Sequence, residues 1–298
     1  MTNQPDLRIL SLGAGVQSTT LLLLAVEGTL PKPDVAIFAD TRGEPAAVYA
    51  HLERVTAVAA EAGIQVIQVS AGDLAADAVD PEHRYASIPY FARNPDGSGG
   101  MGRRQCTDEY KLTPIRRKVR ELLGAAPPDF RRVPKGQVAE QWVGFSVDEI
   151  HRVSDKYPVS YITARYPLLE LGMSRKDCQR WLTSRGWAVV KSSCWFCPFA
   201  GNRQWRDMRD NRPAEWAAAV AFDAAIRGGG GNPLPAGSEA FLHASRVPLD
   251  QAPIDRVTWA EWKGRQGDLL DVLADQRSED GDPDGCSPYG CRSGEAVA

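Results

Sequence analysis

The stretch "RILSLGAGVQSTTLLLLAV", residues 8–26, joins one apolar run to another through two glycines and a cluster of small hydroxyl residues. The first run, around Ile9 and Leu10, reads as a short buried strand, and the second, from Thr20 onward, has the length and composition of a helix. A glycine-rich strand-to-helix turn lets backbone N–H groups approach an anion, and the helix N-terminus adds its partial positive charge to them. Phosphate suits such a turn. Gly13 and Gly15 would equally serve a tight bend between two packed elements, so the segment alone leaves both readings open. It is not a P-loop, since no Lys follows the glycines, and G-A-G-V-Q-S is not G-x-G-x-x-G.

Outward from this turn the first half of the chain alternates short apolar runs with helical stretches. Ile9–Leu12 is followed by a helix over Thr19–Glu27, a strand over Val35–Phe38, a helix over Ala46–Ala62 and a strand over Gln65–Val69. That rhythm predicts an α/β fold: a Rossmann-like parallel sheet flanked by helices. Ligands of such sheets bind at the carboxyl ends of the strands, so Gly13–Ser18 and "ADTRGE" at 39–44 are expected along one edge. Residues 87–102, "SIPYFARNPDGSGGMG", read as a long mobile loop able to fold over a substrate. Beyond it we expect a helix over Leu112–Leu123 with Pro114 in its first turn, and a strand and turn from "QWVGFSVDE". A further helix is expected to be capped at Ser174, with Asp177 at N3.

After Lys191 the character changes. "SSCWFCPF" precedes an aromatic- and alanine-rich helical region, Trp205 through Ile226, that runs into the linker "GGGGNP". Residues 268–284 are mostly acidic and expected to be loosely ordered, while "GCSPYGC" at 285–291 holds two cysteines. We therefore expect a nucleotide-binding α/β domain over 1–190 and a CxxC-containing, mostly helical C-terminal region with a flexible acidic tail over 191–298.

The 298 residues are 43% hydrophobic, enough for a sizeable core, and the formal net charge of −3 argues against binding nucleic acid through the overall field. A local basic segment lies between Met101 and Lys135: Arg103, Arg104, Lys111, Arg116, Arg117, Lys118, Arg120, Arg131, Arg132 and Lys135. It reads either as a solvated helix face or as a phosphate-tracking surface. The longest apolar run, Leu21–Val26, is far too short to cross a bilayer, and residues 1–8 lack a signal pattern, so a cytoplasmic protein without membrane attachment is expected.

In that compartment the cysteines point to metal, cluster or redox chemistry rather than disulfides. Cys194 and Cys197 form a CxxC turn with Pro198, suited to two thiolates sharing one metal ion or cluster; its late position argues against a thioredoxin-like redox pair. Cys178 reads as a small core residue. Cys106 follows Arg103 and Arg104, a cationic setting that lowers a thiol pKa. Cys106, Cys194 and Cys197 would hold a [4Fe-4S] cluster with one open iron, whereas Cys194, Cys197, Cys286 and Cys291 would make a four-thiolate Zn2+ site. Asp40 and Glu44 suit Mg2+, a ribose hydroxyl or a helix N-terminal cap. "DEIHR", with Asp148, Glu149 and Arg152, again follows a strand.

Taken together these segments resemble the PP-loop family of adenine-nucleotide α-hydrolases, within it the phosphoadenosine phosphosulfate (PAPS) reductase-like branch, a HUP-type fold. The family's S-G-G-x-D-S loop corresponds to "GAGVQS", and "FADTRGE" resembles its second-strand D-T-G motif. "RRQCTDEYKLTPI", "GFSVDEIHR" and "YPLLELGMSRKDCQRWL" resemble its Cys-Thr…Lys…Pro, G-x-R-x-x-E and Pro-Leu segments, in the same order. The match spans residues 8–200, about two thirds of the chain. Gln17 stands where the family usually has Asp, and Ser146 where reductases often carry Arg. The resemblance implies ATP (or PAPS/APS) as ligand, held by Ser11, Gly13, Ala14, Gly15, Gln17, Ser18, Thr19, Asp40, Thr41, Glu44, Lys111, Gly144, Glu149 and Arg152. It implies catalytic roles for Asp40, Cys106, Cys286 and Cys291, and cleavage of the α–β phosphate bond with release of pyrophosphate.

C-W-x-C-P at Cys194–Pro198 is similar to the pattern in PP-loop enzymes that put sulfur into nucleic acid. The leading expectation is an ATP-dependent adenylating sulfurtransferase acting on tRNA or DNA, with a sulfur donor such as a cysteine desulfurase as partner. The alternatives are a thiol-dependent PAPS/APS reductase and a nucleotide-binding protein with structural zinc.

Overall fold

The computed structural model describes residues 5–83, 88–125, 132–153, 159–188, 191–231, 234–259 and 261. The expected acidic tail, with Cys286 and Cys291, lies outside the described residues. Within them, a five-stranded parallel sheet has the order β3-β2-β1-β6-β7, built from β1 (Leu7–Ser11), β2 (Val35–Asp40), β3 (Gln65–Ser70), β6 (Ala139–Trp142) and β7 (Ile162–Arg165). β1 is central: Leu10 pairs in register with Ala36 of β2 on one side and Trp142 of β6 on the other. The chain builds outward to β3, then crosses back to add β6 and β7, so the order reverses between β1 and β6. Such a reversal opens a crevice at the strands' carboxyl ends.

Helices cover both faces, and the period-2 geometry of a strand decides which side chain joins which layer. Leu10, Ala36 and Phe38 enter the core formed with α1 (Val16–Val26), α2 (Ala46–Glu61) and α6 (Arg175–Ser184). Ile9, Val35 and Ile37 enter the opposite core, with Ile115 and Val119 of α4 (Thr113–Leu122). α1 is buried along nearly its whole length, Val16 through Ala25. Its polar residues are accommodated by local bonds; the Thr20 hydroxyl donates to the Val16 carbonyl at 2.9 Å. α4 carries Pro114 in its first turn as expected, and is preceded by one π-helical turn over Asp108–Leu112. α6 has the predicted capping box: Ser174 Oγ accepts from the Asp177 N–H, and Asp177 accepts from the Ser174 N–H at 2.9 Å. The short helices α3 (Leu74–Val79) and α5 (Pro167–Glu170) bridge strands to loops.

Two expectations are corrected. Residues 88–102 are not an open loop: β4 (Phe91–Arg93) and β5 (Gly99–Met101) form an antiparallel hairpin extended by β8 (Glu239–Phe241). Between β4 and β5, "NPDGS" makes the reversal, with the Gly97 N–H on the Asn94 carbonyl and the Asn94 N–H on the Ser98 carbonyl, both at 2.9 Å. An Asp-Gly pair between short strands is a hairpin signal. The glycine run after Ile226 is also not a free linker. Gly230, at φ +55°, has the Ala78 carbonyl oxygen 2.3 Å from where a Cβ would stand, and the Gly231 N–H donates to that oxygen at 2.9 Å. Glycine there permits backbone to lie on backbone.

The helical region after the CxxC turn is split by Pro213 into α7 (Asn202–Asn211) and α8 (Pro213–Ala225). With α3, Tyr110 and the three-stranded sheet they enclose a second core containing Cys106, Cys194 and Cys197. Asp223 of α8, 1% exposed, accepts the backbone N–H of Leu242 at 2.7 Å and of Leu249 at 3.1 Å, and pairs with Arg227. Two separate loops are tied to one carboxylate. Asp223→Ala is expected to destabilise the protein by about 3 kcal/mol, because it strands two buried donors and a guanidinium. Urea unfolding at pH 7 measures this; a loss under 1 kcal/mol would show that water replaces the carboxylate.

Candidate functional site

Three segments far apart in sequence converge at the carboxyl edge of β1 and β2: the Gly13–Ser18 turn, residues 40–44, and residues 191–197. After β1 the Leu12 N–H still pairs with the Ile37 carbonyl at 2.9 Å, then Ala14 takes φ +52° while fully buried. A left-handed non-glycine residue costs roughly 1–3 kcal/mol unless the surroundings impose it. Gly15 is the residue before α1, and Ser18 folds back so that its Oγ accepts the Gly13 N–H at 3.1 Å. The Ser11 hydroxyl accepts from Gln141 Nε2 at 2.6 Å, and Gly144 lies against Gln17 and the Ser18 N–H. The turn is thus braced by β6 on its far side.

Gln17, which stands where the resembled loop usually has Asp, is held at both ends. Its Nε2 donates to Glu149 at 2.9 Å, and its Oε1 accepts from Arg175 at 2.8 Å. Glu149 is also paired with Arg152. Burial pushes the Glu149 carboxyl above the usual carboxylate range, against the opposing pull of Arg152 and Arg175. Glu149 and Arg152 therefore reach the α1 N-terminus through Gln17 and share this edge.

On the other flank Glu44, its side chain 1% exposed, pairs with Lys111 Nζ at 3.2 Å, and its second oxygen accepts from Ser192 Oγ at 3.1 Å. Ser192 in turn sits 3.6 Å from where a Cβ on Gly15 would stand. Lys111 comes from the π-helical turn after Cys106, so that motif reaches the glycine turn through Glu44. Ser192 was not among the expected site residues; its one sequence signal is adjacency to the CxxC turn.

Asp40 is engaged locally, accepting from the Arg42 N–H at 2.7 Å and from Tyr49 OH at 2.8 Å. Neither Asp40 nor Glu44 caps α2: the cap position is Pro45, and the Ala46 N–H donates to Glu215 at 3.1 Å. Thr41 is buried, with Oγ1 3.4 Å from Cys194 Sγ. The Trp195 N–H donates to the Gly43 carbonyl at 2.9 Å, and a Cβ on Gly43 would stand 2.6 Å from the Phe196 ring. The CxxC turn is docked on the loop after β2 by a contact that only glycine permits.

Cys106, Cys194 and Cys197 are buried in the same apolar cluster. Among the described residues, however, no three His, Cys, Asp or Glu side chains gather where a metal ion would sit. The expected four-thiolate Zn2+ set includes Cys286 and Cys291, which lie outside the described residues. Cys178 is a core residue, as expected, its thiol pushed by burial up to about 12. The basic segment is not one open stripe. Lys111 is buried against Glu44, Arg116 pairs with Asp108 and Lys118 with Glu121, while Arg103, Arg117, Arg132 and Lys135 are exposed. Arg131 lies outside the described residues. Among those described, no helix is long and apolar enough to cross a membrane.

Thr19, in the first turn of α1, shares a 3.0 Å hydrogen bond with buried His51 of α2, whose ring meets Trp187 edge-on. Burial, and secondarily Arg54, lowers the His51 pKa below the usual imidazole value. The folded state thus resists a proton that the unfolded chain accepts near pH 6.5, so stability present above that pH is lost as pH falls through and below it. His51→Gln is expected to flatten the fall in stability between about pH 7.5 and 5.5, leaving the part due to His243, which is shifted the same way. Urea midpoints across that range test this; an unchanged slope would mean His51 titrates alike in both states. No protein-family model matches the chain, and no curated protein matches it.

Proposed function

We propose that the chain binds ATP or a related adenylate at the Gly13–Ser18 turn and cleaves it between the α and β phosphates, adenylating an acceptor that then receives sulfur. This is the chemistry of the PP-loop nucleotide hydrolases that the motifs resemble. The observation that carries the reading is the convergence at one strand edge: a strained glycine turn at the N-terminus of a buried helix, beside the buried Lys111–Glu44 pair and half-buried Ser192. A helix N-terminus reached by a glycine turn, at the reversal point of a parallel sheet, is where a phosphate chain binds.

In this reading the backbone N–H groups at the start of α1 and the helix dipole hold the phosphates, and the Lys111 ammonium, fixed by Glu44, polarises the site without reorganising. The acceptor oxygen forms a bond to the α-phosphorus as the bond to the β-phosphate breaks, and pyrophosphate leaves with the electron pair. The terminal sulfur of a persulfide on a cysteine desulfurase then displaces AMP, which leaves with the acceptor oxygen. A second thiol cleaves the resulting disulfide, freeing the thiolated acceptor and taking the donor cysteine into a new disulfide. The exposed Arg103, Arg117, Arg132 and Lys135 favour tRNA or DNA as acceptor through phosphate contacts.

The test is direct. The protein should bind the unreactive analogue α,β-methylene-ATP and convert ATP slowly to AMP and pyrophosphate. Gly15→Val, which pushes a side chain toward Ser192, should abolish analogue binding, and Lys111→Gln should slow pyrophosphate release by about 10²–10³-fold. Calorimetry and a pyrophosphate assay read both. Release of ADP and phosphate, or wild-type binding by Gly15→Val, would overturn the reading.

A further inference from the structure

The segment that carries Glu44 into the site is buried at Thr41, Gly43, Glu44 and Pro45 and exposed at Arg42. Its buried residues are anchored on either side of Arg42. The Thr41 carbonyl accepts the Leu74 N–H at 3.1 Å, the Gly43 carbonyl accepts the Trp195 N–H at 2.9 Å, and Glu44 holds Lys111 and Ser192. These anchors, with the Arg42 N–H turned back onto Asp40 Oδ1 at 2.7 Å, keep Arg42 at φ +58°. A side chain in that left-handed region is strained, whereas glycine adopts it freely.

No contact offsets the strain. Among the described residues no carboxylate, carbonyl or ring engages the Arg42 guanidinium. The other arginine at positive φ, Arg246, is different: its half-buried guanidinium fills the space where a side chain on Gly99 would stand. Arg246 packs; Arg42 does not. A strained, exposed and unengaged arginine between buried, anchored neighbours gives the fold nothing that glycine would not give at lower cost.

The cations around the glycine turn are otherwise committed to the protein itself. Lys111 is paired with Glu44, Arg152 with Glu149, and Arg175 with the amide oxygen of Gln17. When an α–β phosphate bond breaks, negative charge grows on the departing pyrophosphate, and a cation not already cancelled by a neighbouring carboxylate stabilises it most. Arg42 follows the end of β2, two residues from Glu44 and thus no more than about 7 Å from it along the backbone. Glu44 in turn meets the glycine turn through Ser192. A guanidinium also matches phosphate oxygens with a planar fork of donors.

We infer that Arg42 contacts the β- and γ-phosphates of the bound nucleotide and stabilises pyrophosphate as it leaves. The inference rests on the reading of the glycine turn as the adenylate site. The strained backbone at position 42 is retained because it sets a free cation beside that turn.

Two variants separate the backbone from the charge. Arg42→Gly relieves the strain and removes the cation; Arg42→Lys keeps both. Scanning calorimetry should show the thermal midpoint of Arg42→Gly raised by about 2–4 °C and that of Arg42→Lys unchanged. Titration calorimetry should show α,β-methylene-ATP binding weakened about tenfold or more in Arg42→Gly but within about threefold of wild type in Arg42→Lys, with pyrophosphate release from ATP following the same order. AMP, which lacks both outer phosphates, should bind Arg42→Gly and the wild type within about twofold of each other. A residue serving the fold alone would lose stability with binding, whereas here the two move in opposite directions. If Arg42→Gly binds the analogue and releases pyrophosphate as the wild type does, or if Arg42→Lys loses as much as Arg42→Gly, or if AMP binding falls equally, the inference is wrong while the adenylate reading stands. If the wild type binds no α,β-methylene-ATP, the adenylate reading itself fails and takes this inference with it.

Discussion

The Glu44–Lys111 ion pair, closed by Ser192, is the constraint on which the candidate site depends. Removing a carboxylate and an ammonium from water costs several kcal/mol each, which their attraction returns only when both remain in place. Here the two side chains are 1% and 8% exposed. A pair of this kind stabilises the fold weakly, but any arrangement that separates its members leaves an uncompensated buried charge. It therefore selects one relative position for the loop after β2, the π-helical turn before α4 and the segment leading into the CxxC turn. That position brings Ser192 against Gly15 and lets Phe196 pack where Gly43 has no side chain.

Much of this architecture is legible in the residues themselves. The alternation of apolar runs with helical stretches predicts the parallel sheet, because strands buried on both faces are short, continuous and apolar, and their connections are amphipathic helices. Strand and helix limits in the first half lie within a few residues of those expected, and Ser174 with Asp177 announces its capping box through a strictly local geometry. The glycine turn and the 39–44 segment are adjacent because consecutive strands of such sheets usually are.

What sequence reading missed depends on partners distant in the chain. Nothing near Gln17 shows that Glu149 and Arg175 will hold its amide from either side, 132 and 158 positions away. Nothing near Lys111 shows that its cationic neighbourhood conceals one buried ammonium. A basic run has the same composition whether its members face water or a carboxylate. The 91–101 hairpin is hidden differently: its strands are only three residues long, and its pairing with β8 joins it to a segment beyond residue 230. Residues 228–233, "GGGGNP", read as a linker because glycine signals freedom and close approach equally well, and only the Ala78 carbonyl against Gly230 and Gly231 distinguishes them.

The departures from local rules are not scattered. Among the described residues the non-glycine residues at positive φ are Ala14, Arg42 and Arg246, and the first two flank the same strand edge. Beside them stands Glu149, a carboxyl whose ionised form is disfavoured by burial. Each costs stability that a chain selected for folding alone would recover: glycine at 14 or 42 removes the strain, and glutamine at 149 removes the charge. A glycine at 14 would also be the residue that the resembled loop carries. Among the described residues these costs meet where a helix N-terminus, two strand ends and a buried ammonium come together, while Asp223 and Arg246 lie away from that edge. Strain and buried charge brought together in the crevice of a parallel sheet are what a preorganised site requires, because groups already desolvated and fixed need not reorganise when a charged ligand arrives.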